Sequence, residues 1–243
     1  MNILTLDIET SPHEAYAFNV WQANIAGGQI INPTYMLSFA AKWHGDKKSE
    51  TVYRSCYDDD MHDVLWEMLN RADMIVSYNG DKFDMRHINR EFVERGYYPT
   101  KPLASVDLLK VVKKQFLFPH NRLDYVANRL MGVSKLETGG FDLWPAFMRK
   151  DPAALKTMKK YNIQDVIITE KLYDRLLPWI TNHPYIGSGD TVIDDAGMDY
   201  ECPTCQSHKI DTSNQRRTRC FAIRVNNCED CGTWFDGKRK KLT

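Results

Sequence analysis

The stretch Ile3-Leu4-Thr5-Leu6-Asp7-Ile8-Glu9-Thr10 decides how this chain is read. It is rich in β-formers, and residues 2–8 alternate well enough for a strand. Alternation puts Asp7 and Glu9, two apart, on the same face of a sheet. Two neighbouring carboxylates on an otherwise apolar strand repel one another and resist burial. Ile3, Leu4, Leu6 and Ile8 have no structural use for them. A bound cation relieves that cost; the plain alternative is a solvated face on an edge strand.

Working outward, residues 35–43 and 51–55 are further strands, spaced for an antiparallel meander. Residues 60–71 form an amphipathic helix with Val64, Leu65, Met68 and Leu69 on one side. Residues 74–78 are a short apolar run suited to a buried strand, and 82–95 a helix ended by Gly96. Residues 107–114 and 123–131 read as helices, the second stopped by Gly132. Asp151 is placed as an N-cap and Pro152 as the first residue of a helix reaching about residue 177. Three strands, a helix, a strand and then helices give an α/β fold, a mixed sheet covered by helices.

The chain has 243 residues, 43% of them hydrophobic, which is enough for one full domain and a small one. Lys+Arg 32 against Asp+Glu 32 gives zero formal charge, so bulk charge argues neither for nor against nucleic acid. No run approaches the ~20 apolar residues of a membrane span. The first residues carry neither a basic nor an apolar leader region. The expectation is a protein without membrane association, in the cytoplasm of a cell or of a virus-infected host. The expected divisions are a first domain over residues 1–185, an acidic linker over 186–199 with Asp190, Asp194, Asp195 and Asp199, and a cysteine module over 200–243.

Two more acids stand in distinctive settings. Asp84 closes Asn79-Gly80-Asp81-Lys82-Phe83-Asp84 at a helix beginning, where capping is its ordinary role. Tyr161 and Asp165, at i and i+4 in Tyr161-Asn162-Ile163-Gln164-Asp165, share one face of the long helix. Converged on one point, Asp7, Glu9, Asp84 and Asp165 would hold two divalent cations. Such a pair, about 4 Å apart, stabilises both the attacking and the leaving oxygen of a phosphoryl displacement. Asp107 is read as a helix start rather than a fifth ligand. Arg122, Arg129 and Lys135 are read as solvated surface, and no histidine has metal-ligand spacing to another.

In this order and on these elements, the motifs resemble the DEDD superfamily of 3′→5′ exonucleases, on a ribonuclease H-like fold with a mixed five-stranded sheet. Asp7-Ile8-Glu9-Thr10 looks like its first motif. The 79–84 segment looks like its second, in the form seen in proofreading domains of family B DNA polymerases. The 161–165 segment looks like the third motif of the tyrosine subclass; the histidine subclass would need His where Lys160 stands. The resemblance covers roughly residues 1–180, with no polymerase region. It implies two Mg²⁺ or Mn²⁺ ions, with Asp7 bridging them, Glu9 and Asp165 completing the site that activates water, Asp84 holding the second, and Tyr161 orienting the water. It also implies that the Thr10 backbone touches a terminal 3′ hydroxyl and that Asn79 and Phe83 line the path of the strand. The implied substrate is a single-stranded DNA 3′ end, in replication, repair or proofreading. An RNA exonuclease remains open, since discrimination of the sugar rests on contacts to the 2′ hydroxyl that no motif reports. So does a non-catalytic nucleic-acid-binding adaptor.

Cys202-Pro203-Thr204-Cys205 and Cys228-Glu229-Asp230-Cys231 are two C-x-x-C knuckles. Four thiolates at this spacing close a tetrahedral, structural Zn²⁺ site. About 40 residues cannot build a self-sufficient core, so the metal would supply most of the folding free energy. Residues 216–224 and 233–236 read as its short strands, and the whole resembles a zinc ribbon. Cys56 and Cys220 read as small buried hydrophobes. The basic residues Arg216, Arg217, Arg219, Arg224 and 238–241 could neutralise phosphates, and Phe221, Trp234 and Phe235 could stack on bases. Alternatively the aromatics are the core of the module, or the module docks on a replication or repair protein.

Overall fold

The computed structural model describes residues 2–19, 21, 24–133, 136, 139–181, 183, 198–203 and 205–242. The linker expected over 186–199 lies outside the described residues up to position 197, as does Lys135. In chain order the elements are β1 (Ile3–Thr10), β2 (Glu14–Ala15), β3 (Ile30–Asn32), β4 (Met36–Trp43), β5 (Val52–Ser55), α1 (Met61–Arg71), β6 (Met74–Ser77) and α2 (Asp84–Glu94). They continue as β7 (Ala104–Asp107), α3 (Leu108–Gln115), α4 (Leu123–Met131), α5 (Leu143–Met148), α6 (Pro152–Leu176), β8 (Ile210–Arg217), β9 (Phe221–Cys228) and β10 (Trp234–Lys241).

The main sheet has five strands in the order β5-β4-β1-β6-β7. The meander holds: β1 pairs antiparallel with β4, and β4 with β5. β6 joins β1 in parallel, and β7 joins β6 in parallel. The strand with the acids is therefore central. Its alternation divides the core. Leu4, Leu6 and Ile8 pack with Leu65, Leu69, Ile88 and Phe92 of α1 and α2. Ile3 belongs to the opposite cluster, with Val112, Val126, Ile168 and Leu172 of α3, α4 and α6. By the same alternation Asp7 and Glu9 face α6, the helix that carries Tyr161 and Asp165.

Polar clamps fix the elements that frame this face. Lys42 and Glu170, both buried, pair at 2.7 Å and tie β4 to α6. Glu91 of α2 accepts from the Met36 N–H at 2.9 Å and from Arg90 and Arg95, with His62 Nε2 3.2 Å away. Burial pushes the Glu91 carboxyl up. The bonds from His62, Met36, Arg95 and Arg90 overcome this and hold it at about 2. At the start of α6 the Asp151 side chain accepts from the Ala154 N–H at 2.8 Å, as the N-cap reading expects.

Several elements differ from the sequence reading. β7, one of the two edge strands, is four residues of Ala-Ser-Val-Asp, too short and too poor in β-formers to announce itself. α2 starts at Asp84 because residues 79–83 form a turn, closed by N–H bonds from Lys82 and Phe83 to the Asn79 carbonyl. The strand expected over 216–224 is instead a hairpin, with the Thr218 N–H bonded to the Phe221 carbonyl at 2.8 Å. The strand expected over 233–236 runs on through the basic residues to Lys241, an edge strand of the three-stranded sheet β10-β9-β8. Charge on an edge strand is compatible with pairing on its inner side and discourages pairing on its outer side. Among the described residues no helix is long and apolar enough to cross a membrane.

Candidate metal centre and cysteine cluster

Asp7, Glu9 and Asp165 each bring a carboxylate oxygen within 4.8 Å of the others. The two strand acids are half-buried and Asp165 is buried. Three carboxylates at this separation repel strongly in a partly desolvated site, and a divalent cation is the group their geometry fits. Asp84 stands outside that group. Its helix lies on the other face of the sheet, so its carboxylate reaches β1 at the strand edge, where the Ile8 N–H donates to Oδ1 at 3.0 Å. The last β1–β6 rung is Thr5↔Val76, so this bond takes over where strand pairing ends. The four-acid pocket expected from sequence is thus a three-acid cluster with Asp84 beside it. Burial pushes the Asp84 carboxyl up to about 7, the N–H bonds from Ile8 and Asp84 pull it down, and the Asp107 charge adds to the rise.

The remaining residues of the second motif shape this corner. Asn79 has a left-handed backbone, φ 73°, and its N–H bonds to Asp107 Oδ1 at 2.8 Å. Asp107 also accepts from the Leu109 N–H, so it caps α3, as read from sequence, and also fixes the 79–84 turn. Gly80 has no room for a side chain: an added Cβ would collide with Ser77. Phe83 is 39% exposed, with its ring 4.6 Å from the His87 ring. Thr10 lies just past a register shift between Glu9 and Thr10 that ends the regular β1–β4 pairing.

Two polar partners of the acids were not picked out from the sequence. Asn162 is fully buried; its Nδ2 donates to Asp7 Oδ2 at 2.7 Å, and its Oδ1 accepts from Ser38 at 3.1 Å. The Ser38 bond orients the amide so that nitrogen faces the acid. The Trp144 indole N–H donates to Glu9 Oε2 at 3.1 Å, and its ring stands edge-on to Tyr161, centroids 6.3 Å apart. Asn162 was visible only as a residue of the third motif. Trp144 lies on α5, a six-residue helix with Pro145 in its first turn, too short for periodicity to reveal.

A family model of the RNase H superfamily matches residues 4–177. The chain belongs to the RNase H superfamily. This RNase H-like fold is similar to the family B DNA polymerase of the hyperthermophilic archaeon Pyrobaculum calidifontis, with a TM-score of 0.56 and 19% identity. That match covers 73% of this chain and 24% of the polymerase chain. The chain is also 26% identical over 84 residues to the putative DNA polymerase 060R of Frog virus 3 (isolate Goorha), covering 35% of this chain and 8% of that protein. The chain thus spans under a quarter of the length of either relative. An RNase H-like fold with clustered acids is consistent with a nuclease that uses divalent metal.

Beyond the RNase H match, Cys202, Cys205, Cys228 and Cys231 bring their sulfurs within 4.8 Å of one another. Cys202 and Cys231 are 3.6 Å apart and Cys205 and Cys228 3.5 Å, close to the ~3.8 Å that tetrahedral Zn–S bonds of ~2.3 Å require. The two knuckles repeat one backbone plan. The Gln206 N–H bonds to the Cys202 carbonyl and the Gly232 N–H to the Cys228 carbonyl, and these two residues, each following the second cysteine, are left-handed, φ 62° and 70°. The four thiols do not shift together: Thr233 holds Cys231 down to about 6, whereas at Cys205 the bond from Ser207 lowers the thiol but Cys231, burial and the other thiols push it up to about 12. Cys56 is half-buried, whereas Cys220 is exposed in the β8–β9 turn, which overturns its reading as a buried hydrophobe.

The module leans on the RNase H domain. The Trp234 indole donates to the Pro99 carbonyl at 2.9 Å, Arg219 to the Thr181 carbonyl at 3.0 Å, and a Cβ on Gly232 would come within 2.5 Å of the Tyr98 ring. Phe235 meets Tyr200 edge-on and Arg239 covers Phe221. The three aromatics considered for base stacking are therefore engaged within the protein. Lys238, Arg239, Lys240 and Lys241 are exposed.

Proposed function

We propose that this protein is a metal-dependent 3′→5′ exonuclease of the tyrosine subclass, acting on single-stranded DNA ends and releasing nucleoside 5′-monophosphates. The observation that carries the reading is the gathering of Asp7, Glu9 and Asp165 within 4.8 Å, with Asp84 bonded to the same strand and Tyr161 edge-on to the Trp144 ring that bonds Glu9. Asp7, Glu9, Asp84 and Asp165 are the residues to hold two Mg²⁺ or Mn²⁺ ions. Bound there, the ions lower the pKa of coordinated water and stabilise the attacking and leaving oxygens. In the reaction a water oxygen bonds to the phosphorus of the terminal nucleotide and the bond to the preceding O3′ breaks. The proton lost from water is balanced by one gained at that O3′.

The chain's own residues prepare this step. Asn162 holds Asp7 and Trp144 holds Glu9, so the two strand acids keep fixed orientations. Tyr161, one turn from Asp165, orients the attacking water. Asn79 and Phe83 line the strand's path and the Thr10 backbone meets the terminal 3′ hydroxyl. Residues 1–185 are the exonuclease domain, 186–199 the linker and 200–243 a zinc ribbon with one structural Zn²⁺. With its aromatics engaged, the ribbon contributes through phosphate contacts of the basic β10, which are salt-sensitive and indifferent to sequence.

The test is digestion of 5′-labelled single-stranded DNA with Mg²⁺. The expected result is a ladder shortening from the 3′ end, lost in Asp7→Ala and in Asp165→Ala. Wild-type rates in both variants overturn the reading. Matched RNA and DNA oligonucleotides decide the sugar preference, and faster cleavage of RNA overturns the DNA assignment.

A further inference from the structure

Trp144 belongs to none of the motifs, yet it touches two of them. Its N–H bonds to Glu9 of the first and its ring meets Tyr161 of the third, across 135 and 17 positions of chain. We propose that Trp144 is a positioning residue that orients the Glu9 carboxylate for cation binding and ties it to Tyr161, so that ligand and phenol keep one relative arrangement. This inference rests on the reading of Asp7, Glu9 and Asp165 as cation ligands.

Three physical facts support the role. An indole N–H only donates, so Trp144 restrains the carboxylate without competing for a cation. Donors of this kind to ligand side chains are worth about 10- to 100-fold in metal affinity. The mount is rigid: the flanking Leu143 and Phe147 of α5 are buried against Ala154 and Met158 of α6, and Lys150 covers the Tyr57 ring that lies against Phe147. The arrangement parallels that of Asn162 on Asp7, but from a separate helix. Each strand acid thus has a neutral N–H donor of its own. Neither donor brings a positive charge that would repel a cation.

A filler of the groove beside Tyr161 would need only a ring of suitable size; a positioning residue needs the N–H. Trp144→Phe separates the two. Mn²⁺ titration calorimetry of the full chain is the primary readout. The expected result is about 10-fold weaker Mn²⁺ binding in Trp144→Phe, with an unchanged melting temperature in cation-free buffer. In a Glu9→Gln background the same substitution should add no further loss. On single-stranded DNA, kcat should fall at saturating substrate with little change in KM.

Wild-type Mn²⁺ affinity in Trp144→Phe overturns the inference and leaves the ligand reading standing. An equal loss in both backgrounds also overturns it, since the effect then does not pass through Glu9. Absence of saturable Mn²⁺ binding in the wild type overturns the ligand reading, and the inference with it. Should Trp144→Phe fail to fold, the wild type still decides. One of the six indole ¹⁵N–H resonances should move during Mg²⁺ titration and stay in place in Glu9→Gln, and no moving indole overturns the proposal.

Discussion

Asp7, Glu9 and Asp165 come from a strand and a helix more than 150 positions apart, whereas the four cysteines all lie within residues 202–231. The first set is held by elements that bury large apolar clusters on both faces of a five-stranded sheet. The second is surrounded by little: Ala222 and Val225 are the buried aliphatic residues described in its three strands. The body can thus hold its acids together at an electrostatic cost, because its core does not depend on them. The module has the reverse dependence. With so small a core, its strands are expected to close only if something holds the knuckles.

The largest expected effect follows directly. Stripping Zn²⁺ with a chelator, or Cys228→Ser, should unfold the module while leaving the body intact. Structural zinc supplies about 10–16 kcal/mol in small zinc peptides at neutral pH. Hydrogen exchange should show protection lost over residues 210–241 and kept in β1, β4 and β6. Loss of protection in β1 would mean the two regions fold as one, and the contrast would fail. The companion experiment is Asp165→Asn, which should leave the cation-free melting temperature unchanged or raised, since it removes one of three clustered charges.

Next in size is Glu91, the ion that clamps α2 to β4. Glu91→Ala should cost about 1.5–3 kcal/mol in urea unfolding, because it leaves the Met36 N–H without its acceptor and removes the carboxylate that His62, Arg90 and Arg95 share. Its folded pKa, about 2, lies below the ordinary 4.5. The stability it contributes is therefore complete above pH 4.5 and is lost as pH falls toward 2. The gap between wild type and Glu91→Gln should narrow over that window; a constant gap would show that Glu91 acts by packing.

Gly80→Ala should cost about 1–3 kcal/mol, since the new methyl meets Ser77 inside a turn fixed by Asp107. Thermal melts of Gly80→Ala alone and with Ser77→Ala would sharpen this, because the second change should restore part of the loss. The smallest effect belongs to the module's exposed pair Arg216–Asp236, at 2.6 Å. Arg216→Ala should change its stability by less than about 1 kcal/mol.

The sequence made the body legible where a local pattern sufficed. β1, β4, β5 and β6 follow from alternation or apolar runs, and the ends of α4 and α6 from Gly132 and Asp151. The acids were legible because charge is rare on such strands. What stayed hidden depends on long-range contact. Asn162 reads as an ordinary helix polar residue until Ser38 and Asp7 are brought to it. Trp144 carries no local pattern, and its role emerges only when its N–H is brought to Glu9 of β1. β7 exists because β6 offers it an edge, and its own residues say little. In the module the knuckles were legible from spacing, but the strand limits were not, because the hairpin turn at 218–220 carries no glycine or proline.

One consequence of the Asp7–Asn162 bond concerns synthesis. The first two acids leave the ribosome more than 150 residues before Asn162, Tyr161 and Asp165 exist. A chain interrupted before α6 retains the strand, Asp84 and Trp144 yet lacks Asn162, Tyr161 and Asp165, so the three-acid cluster cannot close. The three acids therefore come together at a late, single moment of translation.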